Sequence, residues 1–210
     1  MKEFNVYLFD FDGTLVDSYE SLVIVFEGAY SKVGVNVPDG YTRRLMRCPL
    51  FVGYEELNGP PGEMNKRIFG DEIIRLLDDP DVLKATKAYD EVKETLEELH
   101  RRGKKLGIVT SNNKKHVGEV LNFLGFEKDL FQIIVGNQET KKHKPNPDPI
   151  HKGMELLGVK KEDVCYVGDA IDDMRSAINA GVIPVLVDRH NEYKDECEFI
   201  IKDLKGLLDY

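Results

Sequence analysis

Two aspartates stand two positions apart directly after the first apolar run of the sequence. The run 4–9 is short and mostly apolar, which predicts a buried strand, and Asp10 and Asp12 follow at its end, just before Gly13. A strand that gives way to a turn can direct both carboxylates to one site. The Asp-Gly step alone is equally typical of a simple hairpin turn, so motifs further along the chain must decide between the two interpretations.

A second acidic group follows another apolar run. Residues 164–167 predict a buried strand, and Asp169, Asp172 and Asp173 come soon after it. A helix cap needs one carboxylate, whereas this segment supplies three. If both acidic groups reach one sheet edge, their repulsion requires a cation. Ligation by a few carboxylates, water and a phosphate favours Mg²⁺ over zinc.

Three further polar residues stand where they could contact an anion. Ser111 and Asn112 follow a predicted strand at 106–110, where hydroxyl and backbone N–H groups can hold phosphate oxygens, although a helix cap also explains Ser111. Lys144 opens a loop whose prolines restrict the backbone and fix the direction of the ammonium group. An ordinary solvated loop lysine is the alternative interpretation.

Alternating strands and helices would bring these segments together. Short aliphatic runs predict six buried strands, at 4–9, 106–110, 133–135, 164–167, 183–187 and 199–201. Apolar residues at helical spacing, each set followed by a glycine, predict helices between the later strands. The pattern predicts an α/β fold, a Rossmann-like parallel sheet covered on both faces, with ligands at the carboxyl ends of its strands.

The stretch from Asp17 to Ala88 interrupts that alternation. It has apolar residues at helical spacing, interrupted by glycines and prolines, and no convincing strands, which predicts a helical insertion. We therefore expect an α/β core at 1–16 and 89–210, with a small α-helical cap domain at 17–88. Because the insertion follows the first strand and its turn, it should lie above the ligand edge as a lid.

Composition and charge narrow the classes of function. A chain of 210 residues with 41% hydrophobic and 32% charged residues is expected to bury a sizeable core. Its net charge of −9 disfavours nucleic acid as a partner. Three cysteines without a CxxC pair favour a reducing, cytoplasmic location over a disulfide framework or a zinc site. No export signal and no membrane anchor are predicted.

Four motifs, taken in order, resemble the haloacid dehalogenase superfamily of phosphotransferases, in particular its phosphoglycolate phosphatase-like branch with a small helical cap. They are DFDGT at 10–14, TSN at 110–112, KPNPDP at 144–149 and GDAIDD with MRSAINAG at 168–181. Four ordered motifs at matching strand ends are far more specific than any one of them alone.

The resemblance implies the catalytic and metal-binding roles. Asp10 would attack phosphorus and form an aspartyl-phosphate, while Asp12 would protonate the leaving alkoxide and later deprotonate water. Mg²⁺ would be held by the Asp10 side chain, the Asp12 backbone carbonyl and Asp169. Asp173 would lie behind these ligands and orient water or Lys144.

The resemblance also implies how the phosphoryl group is bound and what leaves. Ser111, Asn112 and Lys144 would complete the cradle around the transferred group. Dehalogenases of the superfamily lack an aspartate at the position of Asp12, and its ion-pumping ATPases carry threonine there. A leaving alkoxide needs an acid, whereas a halide does not, so hydrolysis of a phosphomonoester is favoured.

Arg47 is the candidate for substrate recognition in the predicted cap. It stands near Arg43 and Arg44 and just before Cys48, where a cap loop should begin, so it could face a second anionic group of the substrate. A solvated helix face is the alternative interpretation. Members of the family often carry glycine in place of Cys48 and Pro-Gly in place of residues 90–91.

The sequence thus predicts a Mg²⁺-dependent hydrolase of a small phosphomonoester metabolite, with phosphoglycolate as the leading substrate, in a monomer or homodimer. A sugar phosphomutase similar to the β-phosphoglucomutases is one alternative, since it shares the core motifs. A non-catalytic sensor of a phosphate ligand is another, which the intact Asp10 and Asp12 disfavour.

Overall fold

The part of the chain that the structure, a computed structural model, describes is residues 4–46, 48, 50–193 and 197–209. The chain divides into two compact units: a core unit of residues 1–17 and 88–210, and an insert unit of residues 18–87. In the described ranges no helix combines the length and apolarity that a membrane span requires.

A six-stranded sheet forms the centre of the core unit. The strands of the described chain are β1 (Val6–Phe9), β2 (Val16–Asp17), β3 (Lys87–Ala88), β4 (Lys105–Val109), β5 (Ile133–Val135), β6 (Val164–Gly168), β7 (Ile183–Val187) and β8 (Ile200–Ile201). The large sheet has the order β5-β4-β1-β6-β7-β8 and all its pairs are parallel, while β2 and β3 form a separate two-stranded sheet. The predicted α/β fold is confirmed. A hairpin after β1 was the wrong alternative, because both neighbours of β1 run parallel to it.

The position of β1 determines where the site lies. Residues Val6–Phe9 are buried between β4 and β6, as a central parallel strand requires, which is why they form an uninterrupted apolar run. The register pairs Phe9 with Ile108 of β4 and with Val167 of β6. The residues that follow these three strands therefore emerge side by side at one edge of the sheet.

Helices of the core unit cover the sheet. In the described chain the helices are α1 (Tyr19–Lys32), α2 (Thr42–Met46), α3 (Leu50–Glu56), α4 (Glu63–Leu77), α5 (Pro80–Ala85), α6 (Val92–Arg101), α7 (Lys114–Phe123), α8 (Asp148–Leu157) and α9 (Ile171–Ala180). Two 3₁₀ turns, Lys161–Asp163 and Leu204–Asp209, complete the set. Ile150 of α8 and Ala177 of α9 pack in one buried cluster with Leu8 and Val109 of the sheet.

The insert unit contains α1 to α5 and has a hydrophobic core of its own. Tyr30, Tyr54 and Phe69 lie at its centre and are buried, with ring centroids 4.7 to 6.3 Å apart. The Tyr54 hydroxyl donates to the Pro60 carbonyl at 2.8 Å, which satisfies its polar atom inside this core.

Candidate active site

The turn after β1 approaches the carboxyl end of β6. The Asp10 amide donates to the Val167 carbonyl at 2.8 Å, which continues the pairing of the two strands by one residue. Gly13 then adopts φ +80°, and a Cβ atom there would lie 2.4 Å from Asp169 Oδ2, so only glycine permits this approach. Thr14 Oγ1 donates to Asp169 Oδ1 at 3.3 Å. The two acidic segments of the sequence therefore meet at this edge.

Asp10, Asp169 and Asp173 form the acidic group of the site. Each offers one carboxylate oxygen, and these oxygens lie within 4.8 Å of one another. Asp10 and Asp173 are buried, and Asp169 is half-buried. Asp172 pairs with Arg175 at 3.2 Å instead. Because like charges this close repel strongly when they are shielded from water, the group is stable only with positive charge among its members.

Lys144 supplies one such charge. Its Nζ lies 2.7 Å from Asp10 Oδ1 and 2.6 Å from Asp173 Oδ1. The side chain is only 8% exposed, so the alternative of a solvated loop lysine is wrong. Asp173 Oδ2 accepts from the Ala170 amide at 3.1 Å, so both oxygens of Asp173 have partners. Asp173 is thereby fixed at the start of α9, where it holds Lys144 beside Asp10.

The pKa shifts of Asp10 and Lys144 reflect both burial and the charges packed around them. Burial raises the pKa of Asp10, and although Lys144 lowers it, Asp173 and Asp169 raise it further and the net shift is upward. Burial lowers the pKa of Lys144, but the facing carboxylates of Asp10 and Asp173 outweigh it, so that ammonium stays charged. With all three carboxylates ionised, the group keeps an excess of two negative charges. An all-oxygen donor set with that excess fits a divalent cation such as Mg²⁺.

Tyr166 is a site residue that sequence reasoning missed. Its hydroxyl donates to the Val109 carbonyl at 2.8 Å and accepts from Lys144 Nζ at 3.2 Å. The hydroxyl also lies 3.4 Å from Asp173 Oδ1. Burial raises the pKa of Tyr166, which keeps it a neutral hydrogen-bonding group. Its only signal in the sequence is one hydroxyl within the apolar run 164–167.

Asn112 orients Asp12. The Asn112 side-chain amide donates to Asp12 Oδ2 at 2.9 Å, while its own oxygen accepts from the Asn113 backbone amide at 2.7 Å. This second bond fixes which end of the Asn112 side chain faces Asp12. The TSN motif and the DFDGT motif, about a hundred residues apart in the chain, are therefore in direct contact.

Ser111 lies at the same edge, after β4, with an exposed side chain. The helix-cap explanation for Ser111 is wrong, because α7 is capped by Asn113, whose Oδ1 accepts from the Lys115 amide at 2.8 Å. Ser111 thus remains a candidate phosphate-binding residue.

Of the three arginines predicted to lie near the start of a cap loop, the structure describes Arg43 and Arg44. Arg47 lies outside the described residues, so its role remains a prediction. Arg43 stacks over the Tyr19 ring at 5.0 Å, and Arg44 pairs with Glu56 at 2.6 Å. Arg43 and Arg44 therefore already have partners within the insert unit.

Comparison with known proteins relates the whole chain to one enzyme family. The family model described as haloacid dehalogenase-like hydrolase matches residues 7–187. Pyrophosphatase PpaX of Halalkalibacterium halodurans is 30% identical over 216 residues, 99% of this chain and 96% of the relative. Phosphoglycolate phosphatase of Aquifex aeolicus is 31% identical over 181 residues, 84% of this chain and 81% of the relative. A crystal structure of a Bacteroides fragilis protein, assigned as a haloacid dehalogenase-like hydrolase, superposes with a TM-score of 0.89 at 26% identity, covering 98% of this chain and 100% of that one.

Proposed function

Because the chain belongs to the haloacid dehalogenase-like hydrolase family, which confirms the resemblance seen in its motifs, we propose that it is a Mg²⁺-dependent phosphatase of a small metabolite. The observation that carries the proposal is Lys144, buried between Asp10 and Asp173 in a group that also contains Asp169. Relatives named phosphoglycolate phosphatase and pyrophosphatase support a phosphorylated substrate.

The cation would be held by Asp169, the Asp10 side chain and the Asp12 backbone carbonyl. When bound, Mg²⁺ supplies neutralisation of the phosphate and carboxylate charges in the site. Three neighbouring carboxylates with a single lysine among them are the feature that supports a cation here.

In the first half-reaction an Asp10 oxygen attacks phosphorus and the ester P–O bond breaks, which leaves an aspartyl-phosphate. Lys144 fixes the Asp10 carboxylate through Oδ1 and offers positive charge to the transferred group. Asp12 gives its proton to the leaving oxygen. Because Asn112 already donates to Asp12 Oδ2, that proton would be carried on Oδ1.

In the second half-reaction Asp12 takes a proton from water, which attacks the aspartyl-phosphate. Phosphate leaves and the Asp10 carboxylate is restored, so protons balance over the cycle. The hydrogen bond from Asn112 holds Asp12 in place in both steps.

We propose phosphoglycolate as the leading substrate, and pyrophosphate as the second candidate, since a relative that matches 99% of this chain is named pyrophosphatase. A panel measuring phosphate release with and without Mg²⁺ tests both, together with sugar phosphates and nucleoside monophosphates. The proposal expects Mg²⁺-dependent release that is strongest with one of the two candidates.

Asp10→Asn is the decisive variant of that panel. It should abolish release from every substrate, by at least about 10³-fold, while leaving the thermal unfolding transition in place. Undiminished turnover would refute Asp10 as nucleophile.

Incubation with a hexose 1-phosphate and a bisphosphate primer tests the mutase alternative, because a mutase would yield an isomerised sugar phosphate in place of free phosphate. Absence of turnover on the whole panel would favour the sensor.

A further inference from the structure

Arg189 is a largely buried cation outside the four motifs, and it connects three segments of the core unit. It follows β7 by two residues, and its side chain is 11% exposed. One terminal nitrogen lies 2.7 Å from Glu91 Oε1, and the other donates to the Thr14 carbonyl at 2.9 Å. The guanidinium carbon lies 3.6 Å from the centroid of the Tyr89 ring. Three different contacts thus fix the orientation of one planar group.

Glu91 anchors Arg189. Its side chain is 12% exposed, and the same Oε1 also accepts from the Leu204 amide at 3.3 Å. Burial raises the pKa of Glu91, but the hydrogen bond and charge of Arg189 together with backbone hydrogen bonds outweigh it, so the pKa is lowered and the carboxylate is ionised.

Thr14 connects Arg189 to the acidic group. Thr14 is fully buried, its carbonyl accepts from Arg189, and its hydroxyl donates to Asp169 Oδ1 at 3.3 Å. Gly13 approaches the same carboxylate so closely that no Cβ would fit. The position of the backbone at 13–14 therefore restricts where the carboxylate of Asp169 can lie.

Stability alone is a weak reason for this arrangement. A buried ion pair is costly to desolvate, and an apolar replacement of similar volume is often as stable. Arg189 Nε is buried without a hydrogen-bond partner among the described residues, which adds to that cost. A planar guanidinium, in contrast, can hold two partners at once in fixed directions, whereas a lysine ammonium cannot.

We propose that Arg189 is a positioning residue: held by Glu91 and Tyr89, it fixes the Thr14 carbonyl and so places Asp169 for cation binding. This inference rests on the proposed function, because it takes Asp169 as a ligand of the divalent cation. It assigns the segment 89–91, which lies just after the insert unit in the chain, a part in setting the cation site.

Direct Mg²⁺ binding tests this role without turnover. Titration calorimetry of Arg189→Met in the absence of substrate should show a Mg²⁺ dissociation constant raised by about tenfold or more, the effect typical of losing a group that orients a metal ligand. Kinetics should then show a raised Mg²⁺ activation constant, with kcat largely recovered at saturating Mg²⁺. Arg189→Lys keeps a positive charge beside Glu91, so this variant should fold normally. Because a lysine cannot reach both Glu91 and the Thr14 carbonyl, it should still bind Mg²⁺ more weakly than the wild type.

Lys93→Met is the matched control. Lys93 Nζ also donates to a backbone carbonyl, that of Leu124, and also lies over an aromatic ring, at 5.3 Å from the Phe126 centroid. This variant should lower the unfolding temperature and leave Mg²⁺ affinity unchanged. If Arg189→Lys and Arg189→Met behave like Lys93→Met, Arg189 is merely structural and the inference is overturned. A wild-type protein that neither binds Mg²⁺ nor releases phosphate would instead overturn the proposed function, and with it this inference.

Discussion

Tyr166 contacts the charged centre of the proposed active site through one hydroxyl group. That hydroxyl satisfies both the Val109 carbonyl and Lys144. Tyr166→Phe leaves the carbonyl without this donor in a buried place and should lower the free energy of unfolding by about 1 to 2 kcal/mol. Because Asp10 and Asp173 still hold Lys144, kcat should fall by less than about tenfold, as expected for a positioning group.

The control for that prediction is Tyr54→Phe. The Tyr54 hydroxyl donates to the Pro60 carbonyl at 2.8 Å inside the insert unit, so the variant loses a similar bond in the unit that does not carry the motifs. Urea unfolding should show comparable losses for the two variants, whereas steady-state kinetics should change only for Tyr166→Phe. An unchanged kcat in both would mean that Tyr166 serves stability alone.

Residues that repeat a family motif could be predicted, and residues that support them could not. Asp10, Asp12 and Asp169 were candidates because a strand end, a turn and an unusual density of charge coincide in the sequence, and Lys144 because prolines restrict its loop. Arg189 carries no such signal, since a single arginine after a strand is normally a solvated surface residue. Its partners become visible only when segments far apart in the chain are brought together.

At the level of elements, the ion pair between Glu91 and Arg189 links the segment before α6 to the loop after β7. The pKa of Glu91 is lowered, because Arg189 and backbone hydrogen bonds together outweigh burial. The stabilisation is therefore complete above the ordinary pKa of a glutamate and disappears as the pH falls through the lowered value. Glu91→Gln should therefore lower the free energy of unfolding by about 2 kcal/mol near neutral pH. The difference from the wild type should shrink as the pH falls from neutral through the lowered pKa of Glu91, where Glu91 of the wild type also becomes neutral.

Urea unfolding of both proteins across that pH range measures the effect, with Glu94→Gln as the control. Glu94 is largely exposed and lies 3.7 Å from Lys205, so its replacement should have little effect at any pH. A difference between wild type and Glu91→Gln that stays constant with pH would show that Glu91 is not held as a carboxylate by Arg189.

How well each strand or helix could be predicted from the sequence depends on its burial and its length. Strands covered on both faces must be apolar throughout, so β1, β4, β5, β6 and β7 were expected within two residues of their observed ends. The two-residue strands β2 and β3 were not expected, because so short a segment shows no period. Short helices such as α2 and α5 were likewise not separable within the insertion, since each offers barely one turn of pattern.

At the scale of the whole molecule, we propose that the insertion, predicted at 17–88, selects the substrate, while the motifs of the core unit carry out the chemistry. Its candidate residue is Arg47, which would face a second anionic group. Arg47→Ala should then raise the KM for phosphoglycolate by about tenfold, the loss expected for one charge-assisted hydrogen bond, because a carboxylate loses its partner. An uncharged aryl phosphate, which lacks that group, should be hydrolysed with nearly unchanged constants.

Arg43→Ala is the matched control, because Arg43 belongs to the same arginine group but lies over the Tyr19 ring. It should leave the KM for both substrates unchanged. Comparing the two substrates separates recognition from damage to the fold, since a misfolded insertion would reduce activity on both. Equal losses on phosphoglycolate and on the aryl phosphate would therefore remove Arg47 from substrate recognition, and the selectivity of the insertion would have to come from other residues.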